Sequence, residues 1–214
     1  MSINIAIDGP AGAGKSTVAR RAAEKLGFIY VDTGAMYRAI ALYLIRQGVA
    51  PEDKEAIADR CEGADVAITY QNGEQVVSLN GENVNGLIRT DEVTRMSSAA
   101  SAVPAVRARL LDLQRGLAAR NNVLMDGRDI GTCILPDADV KIFLTAGTAV
   151  RAKRRFDEMI AKGDISETLE SVEAKIIKRD EDDRNREISP LREAEDAVHL
   201  DTSDMTIDQA VEAV

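Results

Sequence analysis

Ile3-Asn-Ile-Ala-Ile-Asp8, followed by Gly9-Pro10-Ala11-Gly12-Ala13-Gly14-Lys15-Ser16-Thr17, is the stretch on which the fold turns. Residues 3–7 form a nearly continuous apolar run that stops at an aspartate, the pattern of a strand buried on both faces. Residues 9–16 then match G-x-x-x-x-G-K-[ST] in full. Repeated glycines let the backbone curl so that its N–H groups turn inward on phosphate oxygens. A helical pattern over 15–26, stopped by Gly27, adds unpaired N-terminal N–H groups and the positive end of a dipole. Lys15 offers a point charge to the β- and γ-phosphates, and the Ser16 hydroxyl offers a ligand to Mg²⁺. A nucleoside triphosphate is therefore expected; what is done with it has to come from the rest of the chain.

Working outward, residues 28–31 read as a second buried strand, closed by Asp32-Thr33-Gly34, and 36–47 as a helix ended by Gly48. Strand alternating with helix implies a parallel α/β sheet. The middle differs. Residues 66–70 and 75–79 flank Asn72-Gly73 as a β-hairpin, and Asn80-Gly81 supplies another turn, so 65–86 is expected to be a small antiparallel insertion. Residues 90–116 look helical, with Pro104 interrupting or starting a helix. Parallel grammar returns with strands at 123–125, 140–144 and 198–200 and helices near 148–162, 166–182 and 206–214. The fold class is thus α/β: a P-loop NTPase-type parallel five-stranded sheet flanked by helices, with one antiparallel insertion.

Charge narrows the partners. The 214 residues carry 27 Lys and Arg against 36 Asp and Glu, a formal charge of −9. That balance disfavours a polymeric nucleic acid or an anionic membrane, while leaving room for a small anion in a local basic pocket. Cys61, Cys133 and the lone His199 assemble no zinc set. Cys61 and Cys133 read as packed small residues and His199 as a structural or surface histidine. The N-terminal stretch lacks the features of a signal peptide, and no apolar run reaches the roughly 18 residues of a membrane span. A soluble, cytoplasmic protein is expected.

Arginine carries the next step. No Asn-Lys-x-Asp or LSGGQ-like segment is present, which argues against a GTPase or an ABC-type ATPase. Instead, Asp32-Thr-Gly-Ala-Met-Tyr-Arg38 and Asp126-Gly-Arg-Asp-Ile-Gly131 follow strands, where an open parallel sheet presents its ligand crevice. Residues 151–155 and 179–186 add two further arginine clusters. Several cations converging on phosphate suit phosphoryl transfer, where catalysis is mainly positioning and charge neutralisation. An alcohol acceptor would need a general base, for which Asp32 is the candidate; a monophosphate acceptor would need only cations. A nucleotide-gated binding module stays open as the non-enzymatic reading. Asp126 closes its strand like a Walker-B aspartate.

Taken together, residues 9–17, Asp32-Thr-Gly-Ala-Met-Tyr-Arg38, Ile88-Arg-Thr90, Val106-Arg107, Asp126-Gly-Arg-Asp-Ile-Gly-Thr132, residues 136–144 and Arg184-Asn-Arg186 resemble bacterial-type cytidylate kinases of the nucleoside monophosphate kinase family. The resemblance runs over essentially the whole chain. It implies transfer of a phosphoryl group from ATP, with Mg²⁺, to CMP and dCMP, giving CDP or dCDP and ADP, by a monomer with no nucleic-acid or membrane partner. Residues 9–17 would hold the ATP phosphates, and Lys15, Arg38, Arg128 and Arg186 would be catalytic. Arg38, Arg128 and Arg186 would also bind the CMP phosphate. Ser98, Arg107 and Asp129 would read cytosine, and Asp183, with Thr33, would line the sugar pocket. Residues 1–31, 108–150 and 164–214 would form the core domain and 32–107 the monophosphate-binding domain with its insertion. Residues 151–163 would form a short lid whose Arg151 and Arg155 meet ATP. Many relatives have Ser at the position of Thr33, so the added methyl is a departure inside the sugar pocket.

Overall fold

The computed structural model describes residues 2–161, 163 and 166–214. Lys162, at the end of the expected lid, and Asp164 and Ile165, at the following boundary, lie outside the described residues, as does Met1. In chain order the elements are β1 (Asn4–Asp8), α1 (Lys15–Leu26), β2 (Ile29–Asp32), α2 (Thr33–Arg46), α3 (Lys54–Arg60), β3 (Val66–Gln71), β4 (Glu74–Leu79), β5 (Glu82–Asn83), α4 (Asp91–Ser101) and α5 (Pro104–Arg120). There follow β6 (Val123–Asp126), β7 (Val140–Thr145), α6 (Thr148–Ala161), α7 (Leu169–Asn185), β8 (Val198–Asp201) and α8 (Ile207–Ala213).

Five strands make a parallel sheet in the order β2-β6-β1-β7-β8, and β3-β4-β5 make a separate antiparallel sheet. The central strands are buried on both faces, and their side chains alternate between two cores. Val123 and Met125 face one core with Val31, Met36 and Ile40, while Leu124 faces the other with Ile5, Ile7 and Val18. The first core runs on without a break into Val77, Leu79, Val93 and Met96, so the antiparallel insertion and α4 share it with the main sheet. A third, small cluster of Ala152, Met159, Val172 and Ile176 joins α6 to α7.

Register brings three carboxylates to the carboxyl edge of the sheet, the edge where such sheets bind ligands. Asp32 lies opposite Asp126, and Asp126 opposite Ile7, one residue before Asp8. The hairpin turn forms as expected, with Asn72 at φ 53° and Gly73 at φ 80°, the left-handed pair that such turns require. Pro104 starts α5, where its missing N–H costs nothing.

Three segments differ from expectation, and one without an assignment gains a helix. Thr33 and Gly34 do not close a loop but begin α2, because the Asp32 side chain caps the helix by accepting the Ala35 N–H at 2.9 Å. The arginine-rich segment near 183–186 is helical as far as Asn185. The segment after Arg128 winds into a single wide turn over Ile130–Ile134. Residues 54–60, unassigned by pattern, form α3, capped by Asp53.

Candidate active site

The phosphate loop leaves β1 at Gly9 and ends at α1. Lys15, at the end of that loop, is only 5% exposed, and its Nζ donates to the Pro10 carbonyl at 2.7 Å. Burial, helped by the Arg128 charge, lowers its pKa well below the usual lysine range, against the pull of Asp126 and Asp8. Ser16 donates its hydroxyl to Asp126 Oδ2 at 2.8 Å, and Tyr30 donates to Asp126 Oδ1 at 3.1 Å. Burial, then the nearby Asp32 charge, raises the Asp126 pKa to about 6. Asp8 is likewise raised to about 6 by burial, although it accepts the N–H groups of Ile130 and Gly131, both at 2.8 Å. Asp8 thereby ties the loop carrying Arg128 and Asp129 to the strand that carries the phosphate loop.

Opposite the phosphate loop stands a set of arginines. Arg38, on α2, pairs with Asp32 at 2.9 Å, and Gly34 makes space for it: a Cβ there would lie 3.0 Å from Arg38 Nη1. Gln75 of β4 donates to the Asp32 carbonyl and accepts its N–H (3.2 and 2.9 Å), so the antiparallel sheet holds the backbone of this cap. Arg128 pairs with Asp183 at 2.9 Å. Arg186 lies 3.8 Å from both Asp129 and Asp183 and donates to the Ser189 carbonyl at 2.6 Å. Arg179 reaches the same space, its pKa lowered to about 10 by burial and by Arg128. Arg38 Nε, Arg179 Nε and Arg186 Nη2 are buried without a hydrogen-bond partner. Unpaired buried donors are costly, and three of them around one cleft call for an anion.

That cleft, about 950 Å³, runs from the phosphate loop to Ser98, Arg107 and Asp129. Arg107 and Asp129 form a close ion pair, with the Arg107 guanidinium 5.6 Å above the Tyr37 ring. Thr33 lines the cleft with its hydroxyl already donated to the Asp126 carbonyl at 2.8 Å. Among the described residues no three His, Cys, Asp or Glu side chains are grouped to hold a metal. A cation here would rest on Ser16, water and ligand oxygens, and Mg²⁺ is commonly held in that way.

Comparison with known proteins gives the family of the chain. The family model described as Cytidylate kinase matches residues 5–214. The chain belongs to the cytidylate kinase family. A cytidylate kinase from Lactobacillus gasseri is 49% identical over 209 residues, covering 98% of this chain and 90% of that protein. One from Carboxydothermus hydrogenoformans is also 49% identical over 209 residues, covering 98% and 94%. A crystal structure of an uncharacterized protein from Eubacterium ventriosum, 14% identical, superposes with a TM-score of 0.52 over 99% of this chain and 95% of that one, and shares its fold.

In this member of the cytidylate kinase family, one cleft gathers Lys15, Ser16, Thr33, Arg38, Ser98, Arg107, Arg128, Asp129, Arg155, Asp183 and Arg186. Arg151 is elsewhere. It is 3% exposed beneath the phosphate loop, where it pairs with Asp180 at 2.7 Å, and Arg154 lines the cleft beside Arg155. Sequence reasoning missed Asp8, Tyr30, Gln75 and Asp180, whose partners are far away in the chain. Arg179 was visible as part of a charge run, but nothing local set it apart. Cys61 is buried as expected, and His199 sits on the outer strand β8, its Nδ1–H donating to Glu193 at 2.9 Å. No helix among the described residues is long and apolar enough to cross a membrane.

Proposed function

We infer that this protein transfers the γ-phosphoryl group of ATP to CMP, releasing CDP and ADP, and that it takes dCMP as well. The observation that carries the reading is the ring of arginines, with three orphaned donors, facing a phosphate loop across one cleft. A phosphate monoester with a second pKa of about 6 is largely a dianion at neutral pH and needs no general base. Asp32 fits that reading, since its carboxylate is already engaged by the α2 cap and by Arg38. Its place is to hold Arg38 rather than to take a proton.

In the transfer, an acceptor phosphate oxygen forms a bond to the γ-phosphorus as the bond from that phosphorus to the β-bridging oxygen breaks, and ADP leaves with that oxygen. Residues 9–17 hold the donor phosphates through backbone N–H groups other than those of Pro10, which has none, and Ala11, whose N–H goes to Asp180, and Lys15 swings from the Pro10 carbonyl to phosphate. Arg38, Arg128 and Arg186 hold the acceptor phosphate and offset charge as it moves. Ser16 would hold Mg²⁺, with Asp126 orienting its bound water, and the ion would supply further charge neutralisation. Arg155 lies on the donor side, with residues 151–163 as the lid and 32–107 as the acceptor-binding unit. Asp183 meets the sugar hydroxyls.

Base choice follows from Ser98, Arg107 and Asp129. Cytosine presents an N4 amino donor that Asp129 can accept and N3 and O2 acceptors that suit Arg107. Uracil reverses the polarity at N3 and at position 4, leaving buried groups unsatisfied at about 1–3 kcal/mol each. Turnover of ATP across a panel of nucleoside monophosphates and small alcohols tests the reading. CMP and dCMP should be far better acceptors than UMP, and Asp129→Asn should lose CMP activity and narrow the CMP-to-UMP gap. Turnover indifferent to the acceptor, or Asp129→Asn retaining the full preference for CMP, would overturn it.

A further inference from the structure

The ion pair of Arg151 on α6 with Asp180 on α7 holds two successive peptides of the phosphate loop. Asp180 Oδ1 accepts the Ala11 N–H at 3.1 Å, and Lys15 donates to the Pro10 carbonyl on the other side of that same peptide. Arg151 Nη1 donates to the Ala11 carbonyl at 2.8 Å while pairing with Asp180 Oδ2 at 2.7 Å. Its remaining donors reach the Ala146 carbonyl and the Thr148 hydroxyl at 2.8 and 2.9 Å. Both partners are 3% exposed, and neither lines the cleft. Packing repeats the contact: a Cβ on Gly12 would meet Arg151 Cβ and Ile176 Cδ1 at 3.4 Å. The α6–α7 pair, with its own small apolar cluster, is thus fastened directly to the loop that wraps the donor phosphates.

The same helix serves the other substrate. Asp180 has Arg179 beside it and Asp183 one turn on, and Asp183 holds Arg128 at 2.9 Å. Arg186, at the end of α7, faces Asp129 and Asp183. A shift of α7 that follows the phosphate loop therefore moves the cations and the carboxylate of the acceptor side.

We propose that Arg151 and Asp180 are a positioning pair that ties the phosphate loop to the acceptor-binding end of α7, so that filling either nucleotide site tightens the other. This rests on the assignment of ATP to the phosphate loop and CMP to the arginine-lined half of the cleft. Calorimetric titration with CMP, without and with a saturating β,γ-methylene analogue of ATP and Mg²⁺, tests it. The analogue should tighten CMP binding about fivefold or more, and CMP should tighten analogue binding by the same ratio, as linkage requires. In Asp180→Asn and Arg151→Lys the ratio should fall towards one, while CMP affinity alone stays within about twofold. Arg151→Met combined with Asp180→Asn leaves no lone charge buried and keeps the test valid if a single variant fails to fold. A merely structural brace would lower the melting temperature, or weaken each affinity alone, with the ratio unchanged. Folded variants that keep the wild-type ratio, or a wild-type ratio of one, would overturn the proposal alone. Absence of CMP or analogue binding to the wild type would overturn the underlying assignment, and the proposal with it.

Discussion

Asp126 ends β6 with one oxygen on the Ser16 hydroxyl and the other on that of Tyr30, beneath the phosphate loop. Burial, with the Asp32 charge beside it, holds its carboxyl at about 6 against an ordinary 3.8. Since the folded value lies above the unfolded one, ionisation disfavours the fold. The cost is absent below about pH 4, grows as pH rises from there to about 6, and above that amounts to about 3 kcal/mol. Asn has nearly the same shape and carries no charge. The stability of Asp126→Asn relative to the parent, both nucleotide-free, should therefore improve as pH rises from about 4 to 6, since only the parent takes on the buried charge. Urea unfolding of both proteins across pH 4–8 checks the trend. Kinase activity should move the opposite way, because under the proposed function the Asp126 charge would orient Mg²⁺-bound water and an amide would not supply it. Stability exchanged for a charge at a binding site is a common bargain in enzymes.

Elements set where such residues meet. β1 and β7 are direct neighbours, and the chain leaves β1 through Gly9 at φ +148° with the Leu144 carbonyl close by. A Cβ at Gly9 would lie 2.0 Å from that backbone oxygen, which cannot move without breaking β7 out of the sheet. Gly14, at φ +88°, has nothing within 4 Å of its Cβ position. The two substitutions should therefore separate sharply in thermal melts. Gly14→Ala should cost about 1–2 kcal/mol from left-handed strain alone. Gly9→Ala should exceed about 4 kcal/mol and yield little folded protein. Similar losses for both would mean that strand packing does not fix the start of the loop.

At the scale of the molecule, the antiparallel sheet and α4 share one apolar core with the main sheet, and polar side chains add ties around the cleft. Gln75 and Tyr70 fasten the antiparallel sheet to β2, through Asp32 and the Tyr30 carbonyl, and Arg151 and Asp180 fasten α6 and α7 to the phosphate loop. Phosphoryl transfer gains from a closed, water-poor site, since water competes with the acceptor for the γ-phosphoryl group. Both nucleotides together should protect residues 65–107 and 151–161 from hydrogen exchange more than either alone. Unchanged exchange in both segments would contradict closure.

Short-range order was readable because it depends on a few adjacent residues. The apolar run before residues 9–17, the Asn72-Gly73 turn and the Pro104 start each act through local dihedrals or through strand and helix periodicity. These were enough to specify five strands, the hairpin and the phosphate loop. The Thr33-Gly34 pair misled because its composition suits a turn, whereas the Asp32 cap and the space needed by Arg38 make it the first turn of a helix. The arginine run at 151–155 showed the same limit: composition marked it as cationic but could not say which member turns inward. Packing of α7 against α6 decided that, by giving Arg151 a buried carboxylate 29 positions away in the chain. Asp8 became a brace only when folding brought Ile130 and Gly131, more than 120 residues on, within hydrogen-bonding reach. By itself the sequence determined the fold class, the triphosphate loop and the resemblance that named the reaction. Tertiary structure decided which charges pair, which are buried and which are left facing the cleft, because the energy of a charge depends on its surroundings in space rather than on its neighbours in the chain.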